Sequence, residues 1–169
     1  PKITHPTDKK NWDGLDLPWM AFGYGVSLTP LQTLTFYNAI ANDGVVLRPR
    51  FLREVKDFNK RVEIFNKEII NPSICSKETA KKVQKMMQNV VEKKHGTAHN
   101  IYSSNFSMAG KTGTCQTEYW KESGLYISSF AGYFPVENPK YSCIVVIHKP
   151  EKEIGYYGNI VAAPVFKKI

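Results

Sequence analysis

Ser107-Met108-Ala109-Gly110-Lys111-Thr112-Gly113-Thr114-Cys115-Gln116 reads as the body of a β-strand running to Thr117, with small residues at its centre. Two more strands follow, Tyr126 to Phe134 and Tyr141 to His148. Glu137-Asn138-Pro139-Lys140 is a tight turn between them, so they are expected as antiparallel neighbours. Cys143-Ile144-Val145-Val146-Ile147 is apolar at every position, which predicts a strand covered on both faces. A last helix, from about Gly158, would supply one cover.

Upstream, Thr29-Pro30-Leu31-Gln32 opens a helix: Thr29 caps, Pro30 takes the first helical position and Gln32 completes a capping box. Leu31, Leu34, Thr35, Ala39 and Ile40 follow at helical spacing, and Asn42-Asp43-Gly44 ends the run. Val45 to Val55 and Arg61 to Phe65 read as strands around a turn at 57–60, with Pro49 assigning the first to an edge. Asn71-Pro72 breaks the chain. Ser76 then caps a second helix with Ala80, Val83, Met87, Val90 and Val91 on one face, ending at His95-Gly96. Residues 1–28 are turn-rich with interspersed aromatics, expected to drape over a core. Helices before and after a run of strands predict an α+β fold, an antiparallel sheet sandwiched by helices.

Composition narrows the function classes. A chain of 169 residues with 42% hydrophobic and 22% charged residues is an ordinary globular domain or a large piece of one. Both ends read as cut within longer patterns. No apolar run reaches the roughly 20 residues of a membrane span, and no signal peptide opens the chain. The net charge of +8 is read as a solvated basic surface, because no arginine cluster interleaves with aromatics as in a nucleic-acid module. Three cysteines, Cys75, Cys115 and Cys143, cannot close a full disulfide set, and their spacing fits no metal or redox motif. With only four scattered histidines, no metal site and no cofactor are expected.

The chemistry sits in Lys111-Thr112-Gly113. A Lys-Thr-Gly triplet on a strand is one of three signatures of serine acyl-enzymes that act on penicillin-like substrates. Such a strand offers a backbone N–H to a developing oxyanion, and its alternation puts the Thr112 and Thr114 hydroxyls on one face to hold a carboxylate. Gly113 removes a side chain, so that a substrate backbone could lie along the strand edge. Lys111 adds positive charge that favours an anionic substrate and lowers the pKa of a nearby proton acceptor. The nucleophile's own signature, Ser-x-x-Lys, occurs nowhere in the chain.

The chain resembles the C-terminal half of the transpeptidase domain of class B penicillin-binding proteins, over nearly its whole length. The resemblance rests on Phe22-Gly23-Tyr24-Gly25-Val26-Ser27-Leu28-Thr29-Pro30-Leu31-Gln32, Ala39-Ile40-Ala41-Asn42-Asp43-Gly44, Gly96-Thr97-Ala98 and 109–116. It continues through Phe130-Ala131-Gly132-Tyr133-Phe134-Pro135 and Tyr157-Gly158-Asn159-Ile160-Val161-Ala162-Ala163-Pro164. Residues 18–24 and 38–44 look most like the septal, cell-division branch of Bacteroidetes-type bacteria; the elongation branch is the alternative.

The resemblance implies a peptidoglycan D,D-transpeptidase whose nucleophile-bearing part lies upstream of residue 1, residues 1–169 being the C-terminal portion of one domain. Lys111 and the Thr114 N–H, the latter an oxyanion donor, would be catalytic. Thr112, Gly113 and Thr114 would bind substrate, with Tyr119 and Trp120 as rim residues. Stem peptides and β-lactams would be the ligands, with other division proteins as partners and no nucleic acid. A membrane anchor outside this chain would hold the catalytic domain in the periplasm, at the inner membrane. Cys115 replaces the family's usual alanine and is read as packing. Ser103-Ser104-Asn105 spells the third signature, Ser-x-Asn, but lies too close to Lys111 and is read as a polar turn. His95 and His99 are read as helix-end residues. A penicillin-sensing receptor domain of the same fold is a second reading, and a basic module for a polyanion a third.

Overall fold

The structure is a computed structural model that describes residues 10–117 and 125–169. Its centre is a three-stranded antiparallel sheet in the order β5 (Ala109–Thr117), β6 (Leu125–Phe134), β7 (Tyr141–His148). The register runs Ala109↔Tyr133, Thr112↔Phe130, Thr114↔Ser128 on one side of β6, and Phe130↔Val145 on the other. All three strands and the 137–140 turn fall where the apolar runs and turn residues place them.

Helices cover both faces. α2 (Pro30–Ala41) packs on β6 and β7, while α4 (Gly158–Val161) and α5 (Ala163–Lys168) pack on the opposite face. The alternation of β6 divides the core accordingly. Tyr133 meets Ile40 of α2 and Met87 of α3 (Lys77–Glu92), and Phe130 meets Phe166 of α5 with ring centroids 4.8 Å apart. α3 joins the two clusters, Met87 entering one and Val91 the other. Cys143, Val145 and Ile147 lean on the α5 side, but of β7 only Val145 is buried; its two faces are covered to partial depth.

The caps match the sequence closely. Thr29 Oγ1 accepts from Gln32 N, and the Gln32 side chain returns a bond to Thr29 N at 2.9 Å. Ser76 Oγ accepts from Thr79 N at 3.1 Å. Gly44 ends α2 at φ 92°, where a side chain would be strained.

Three expectations change. The run from Val45 to Val55 is not one strand: Pro49 lies in a break between β1 (Val46–Leu47) and β2 (Glu54–Asp57). β1 pairs instead with the short β4 (Ile69–Asn71), and β2 forms a hairpin with β3 (Lys60–Ile64). α3 ends at Glu92, three residues before His95, because Lys93 turns to an extended conformation at ψ 139°. In the turn-rich N-terminal stretch, residues 10–28 carry a short helix, α1 (Asp16–Ala21), and their aromatics are only partly packed. Trp19 touches Tyr24 edge-on, yet Trp19 is 52% and Phe22 79% exposed, since no described element covers them. No helix among the described residues is long and apolar enough to cross a membrane.

Candidate active site

β5 has a strand partner only on its β6 side among the described residues, so alternate peptide groups face an open edge. The Thr112 carbonyl accepts from Lys111 Nζ at 2.7 Å on that edge. Thr114, two residues on, shares its phase, so its N–H points the same way. Lys111 is exposed, at the mouth of the strand and not in the core.

The two threonines face α4 and the loop after α3. Thr114 Oγ1 accepts from the Gly158 N–H at 3.1 Å, a bond spanning 44 residues. Thr112 Oγ1 lies 3.4 Å from Thr97 Oγ1. A hydroxyl has two acceptor sites and one proton. With Gly158 donating, the Thr114 proton is left for an acceptor outside the protein. The site thus gathers an ammonium, an open N–H and two hydroxyls along one edge, a pattern suited to an anion.

The surroundings hold that edge in place. The Ser128 hydroxyl, fully buried, donates a short hydrogen bond to the Tyr156 carbonyl, and Tyr156 stacks on Tyr126 at 4.0 Å. These contacts fix the chain that delivers Gly158. Gly158 in turn sits directly on the sheet: an added Cβ would lie 2.4 Å from Ser129 O and 2.7 Å from Gly113 O. At Gly113 the constraint is softer, because a Cβ there would meet only the side-chain hydroxyl of Ser129, at 2.5 Å. A side chain at 113 would therefore have to displace the Ser129 hydroxyl.

Among the other sequence candidates, Cys115 is half-buried opposite Ile127, with its thiol near the Gln116 carbonyl at 3.7 Å. Burial pushes the Cys143 thiol pKa up. All three cysteines are free. Ser103-Ser104-Asn105 forms a local turn, Asn105 N donating to Ser103 Oγ at 3.2 Å. His99 contacts the Val91 carbonyl through Nδ1 at 3.1 Å and stacks on Tyr102, a helix-end arrangement. Tyr119 and Trp120 lie outside the described residues. The sequence reading missed Gly158, although it quoted Tyr157-Gly158-Asn159; only the fold reveals what that glycine touches.

Comparison with known proteins gives these features a family. A family model described as the penicillin binding protein transpeptidase domain matches residues 4–169. The chain is 34% identical to the peptidoglycan D,D-transpeptidase FtsI of Buchnera aphidicola, over 96% of this chain and 27% of that protein. It is 31% identical to the penicillin-binding protein PbpB of Mycobacterium tuberculosis, over 99% of this chain and 26% of that one. The chain thus spans about a quarter of the length of these relatives. Its fold superposes on the apo crystal structure of penicillin binding protein 3 from Mycobacterium tuberculosis with a TM-score of 0.80 at 30% identity, covering 98% of this chain and 39% of that one. From the motif strand, the helices around it and these matches together, the chain belongs to the penicillin binding protein transpeptidase domain family.

Proposed function

We propose that residues 1–169 are the C-terminal portion of one transpeptidase domain, and that the intact protein is a peptidoglycan D,D-transpeptidase of cell division. A serine on the part of the domain upstream of residue 1 would attack the D-Ala-D-Ala bond of a stem peptide. An ester to that serine forms and the terminal D-alanine leaves. An amine from a neighbouring stem peptide then displaces the serine, forming the cross-link. β-Lactams would be trapped at the ester stage. The catalytic domain would stand in the periplasm on an inner-membrane anchor outside this chain, among other division proteins.

In this reading Lys111 places its charge beside the nucleophile's proton acceptor, and the open Thr114 N–H donates to the oxyanion. The Thr112 and Thr114 hydroxyls hold the substrate carboxylate, and Gly113 keeps the strand flat beneath Gly158. Tyr119 and Trp120 are proposed as rim contacts. The chain by itself, with no Ser-x-x-Lys, would be inactive. The observation that carries the reading is the Gly158-to-Thr114 hydrogen bond, since it leaves the Thr114 proton for an anion beside an open backbone N–H.

The test is the acylation rate of the longer parent protein by a fluorescent penicillin. Lys111→Ala should slow it by about 10²-fold or more, the scale of a positioned acid–base group, with the melting temperature little changed because Lys111 is exposed. An unchanged rate would remove Lys111 from the site.

A further inference from the structure

Thr97 is exposed, yet its backbone is tightly held. Gly96, before it, backs onto the last turn of α3: a Cβ there would come within 2.3 Å of Val90 O and 2.5 Å of Asn89 O. Gly96 N donates to Lys93 O at 2.7 Å and Ala98 N to Val90 O at 3.0 Å, and Ala98 is fully buried. Two residues beyond, Asn100 Nδ2 donates to Asn159 O at 2.7 Å, which ties this loop to α4 beside Gly158. The loop, α4 and β5 are thus linked at three points: Thr97 to Thr112, Asn100 to Asn159 and Gly158 to Thr114.

The proton count of this row is informative. Each threonine hydroxyl has one hydrogen to give. At Thr114 the protein supplies the donor, Gly158, so the Thr114 hydrogen remains. At Thr112 the Thr97 hydroxyl lies 3.4 Å away, and either of the two could donate. Were Thr112 to donate to Thr97, it would have nothing left for an anion. Negative charge beside Thr112 favours the opposite order, with Thr97 donating inward and Thr112 outward.

We propose that Thr97 is a positioning residue for the anion-binding row, donating to Thr112 Oγ1 so that the single Thr112 hydrogen points at the substrate carboxylate. The inference rests on the reading of Thr112 as a carboxylate ligand and gives Gly96-Thr97-Ala98 its role. Thr97 does for Thr112 what Gly158 does for Thr114. The acidic group it serves is a carboxylate of a stem peptide or of a β-lactam.

The experiment measures second-order acylation of the longer parent protein by a β-lactam with a free carboxylate and by the methyl ester of the same compound. Thr97→Val keeps the shape and removes the donor. It should slow acylation by the acid about 3- to 10-fold, the effect of one ordinary hydrogen bond, and leave the ester unaffected. Thr97→Ser should restore the acid rate, and the melting temperature of all three proteins should agree. Equal losses for acid and ester, no loss with the acid, or failure of serine to rescue would each overturn the proposal. If the unmutated parent is not acylated by either compound, the functional reading falls and this inference with it. Normal acylation of both parent and Thr97→Val would sink the inference alone.

Discussion

Phe130 and Phe58 are the same residue at opposite extremes: Phe130 is 0% exposed and Phe58 97%. Each belongs to an antiparallel pair, Phe130 on β6 and Phe58 in the two-residue turn of the β2–β3 hairpin. What differs is what lies across from them. β6 has a strand on each side and helices on both faces, so alternation alone fills two cores. The hairpin is covered by no described helix, and every residue of β3 is exposed. Its ion pairs, Arg61 to Glu54 at 3.0 Å and Lys56 to Glu54 at 3.1 Å, are solvent-facing and add little. Strand pairing alone therefore buries nothing here; the layers above and below the sheet do. The motif strand belongs to the first region, paired with β6 and packed against α3.

The sharpest way to break this comparison is Phe130→Ala. Phe130 touches Phe166 and lies over Gly110, so truncation should cost about 3–5 kcal/mol in a denaturant titration. A loss below about 1 kcal/mol would mean that packing of the helices on the sheet is not what stabilises this region.

A smaller effect is expected at Tyr133, on the other face. Its hydroxyl is buried with no hydrogen-bond partner among the described residues, and burial, with a contribution from the Asp43 charge, pushes its pKa up to about 12. An unfolded tyrosine titrates near 10, so the folded state holds its proton longer. Stability from this group is then complete below about pH 10 and declines as pH rises from there through about 12. Tyr133→Phe should abolish that alkaline decline and leave neutral stability equal or slightly higher, as read by melts across the pH range. Persistence of the same decline in the variant would assign it to another group.

The smallest effect is expected at the hairpin tip. Phe58 has φ 42°, a region that asparagine tolerates better than phenylalanine. Phe58→Asn should change stability by no more than about 0.5 kcal/mol, in the stabilising direction. A loss comparable to that of Phe130→Ala would erase the distinction between the two regions.

Sequence signals carried the sheet, the capped starts of α2 and α3 and the motif strand, because each depends on neighbours within a few residues. The capping box at Thr29 and the 137–140 turn are local chemistry, and both appear as read. The β1–β4 pairing was not legible: Ile69-Ile70 is too short to show a period, and its partner lies more than 20 residues away. Likewise Thr112 and Thr114 could be put on one face by alternation, but the donors beside them could not. Gly158 is 44 residues from Thr114 and Thr97 is 15 from Thr112, distances that only the folded sheet and its helices close. Gly113 could be read as a missing side chain, but that the Ser129 hydroxyl stands across from it and Gly158 packs on its backbone could not.

The central claim is that this edge is one wall of an acyl-transfer site whose nucleophile stands on another part of the protein. Intact-mass spectrometry after incubation with penicillin tests it directly, on residues 1–169 and on the longer parent side by side. The account predicts a single penicilloyl adduct on the parent and none on residues 1–169. A penicilloyl adduct on residues 1–169, or an unmodified parent, would contradict it.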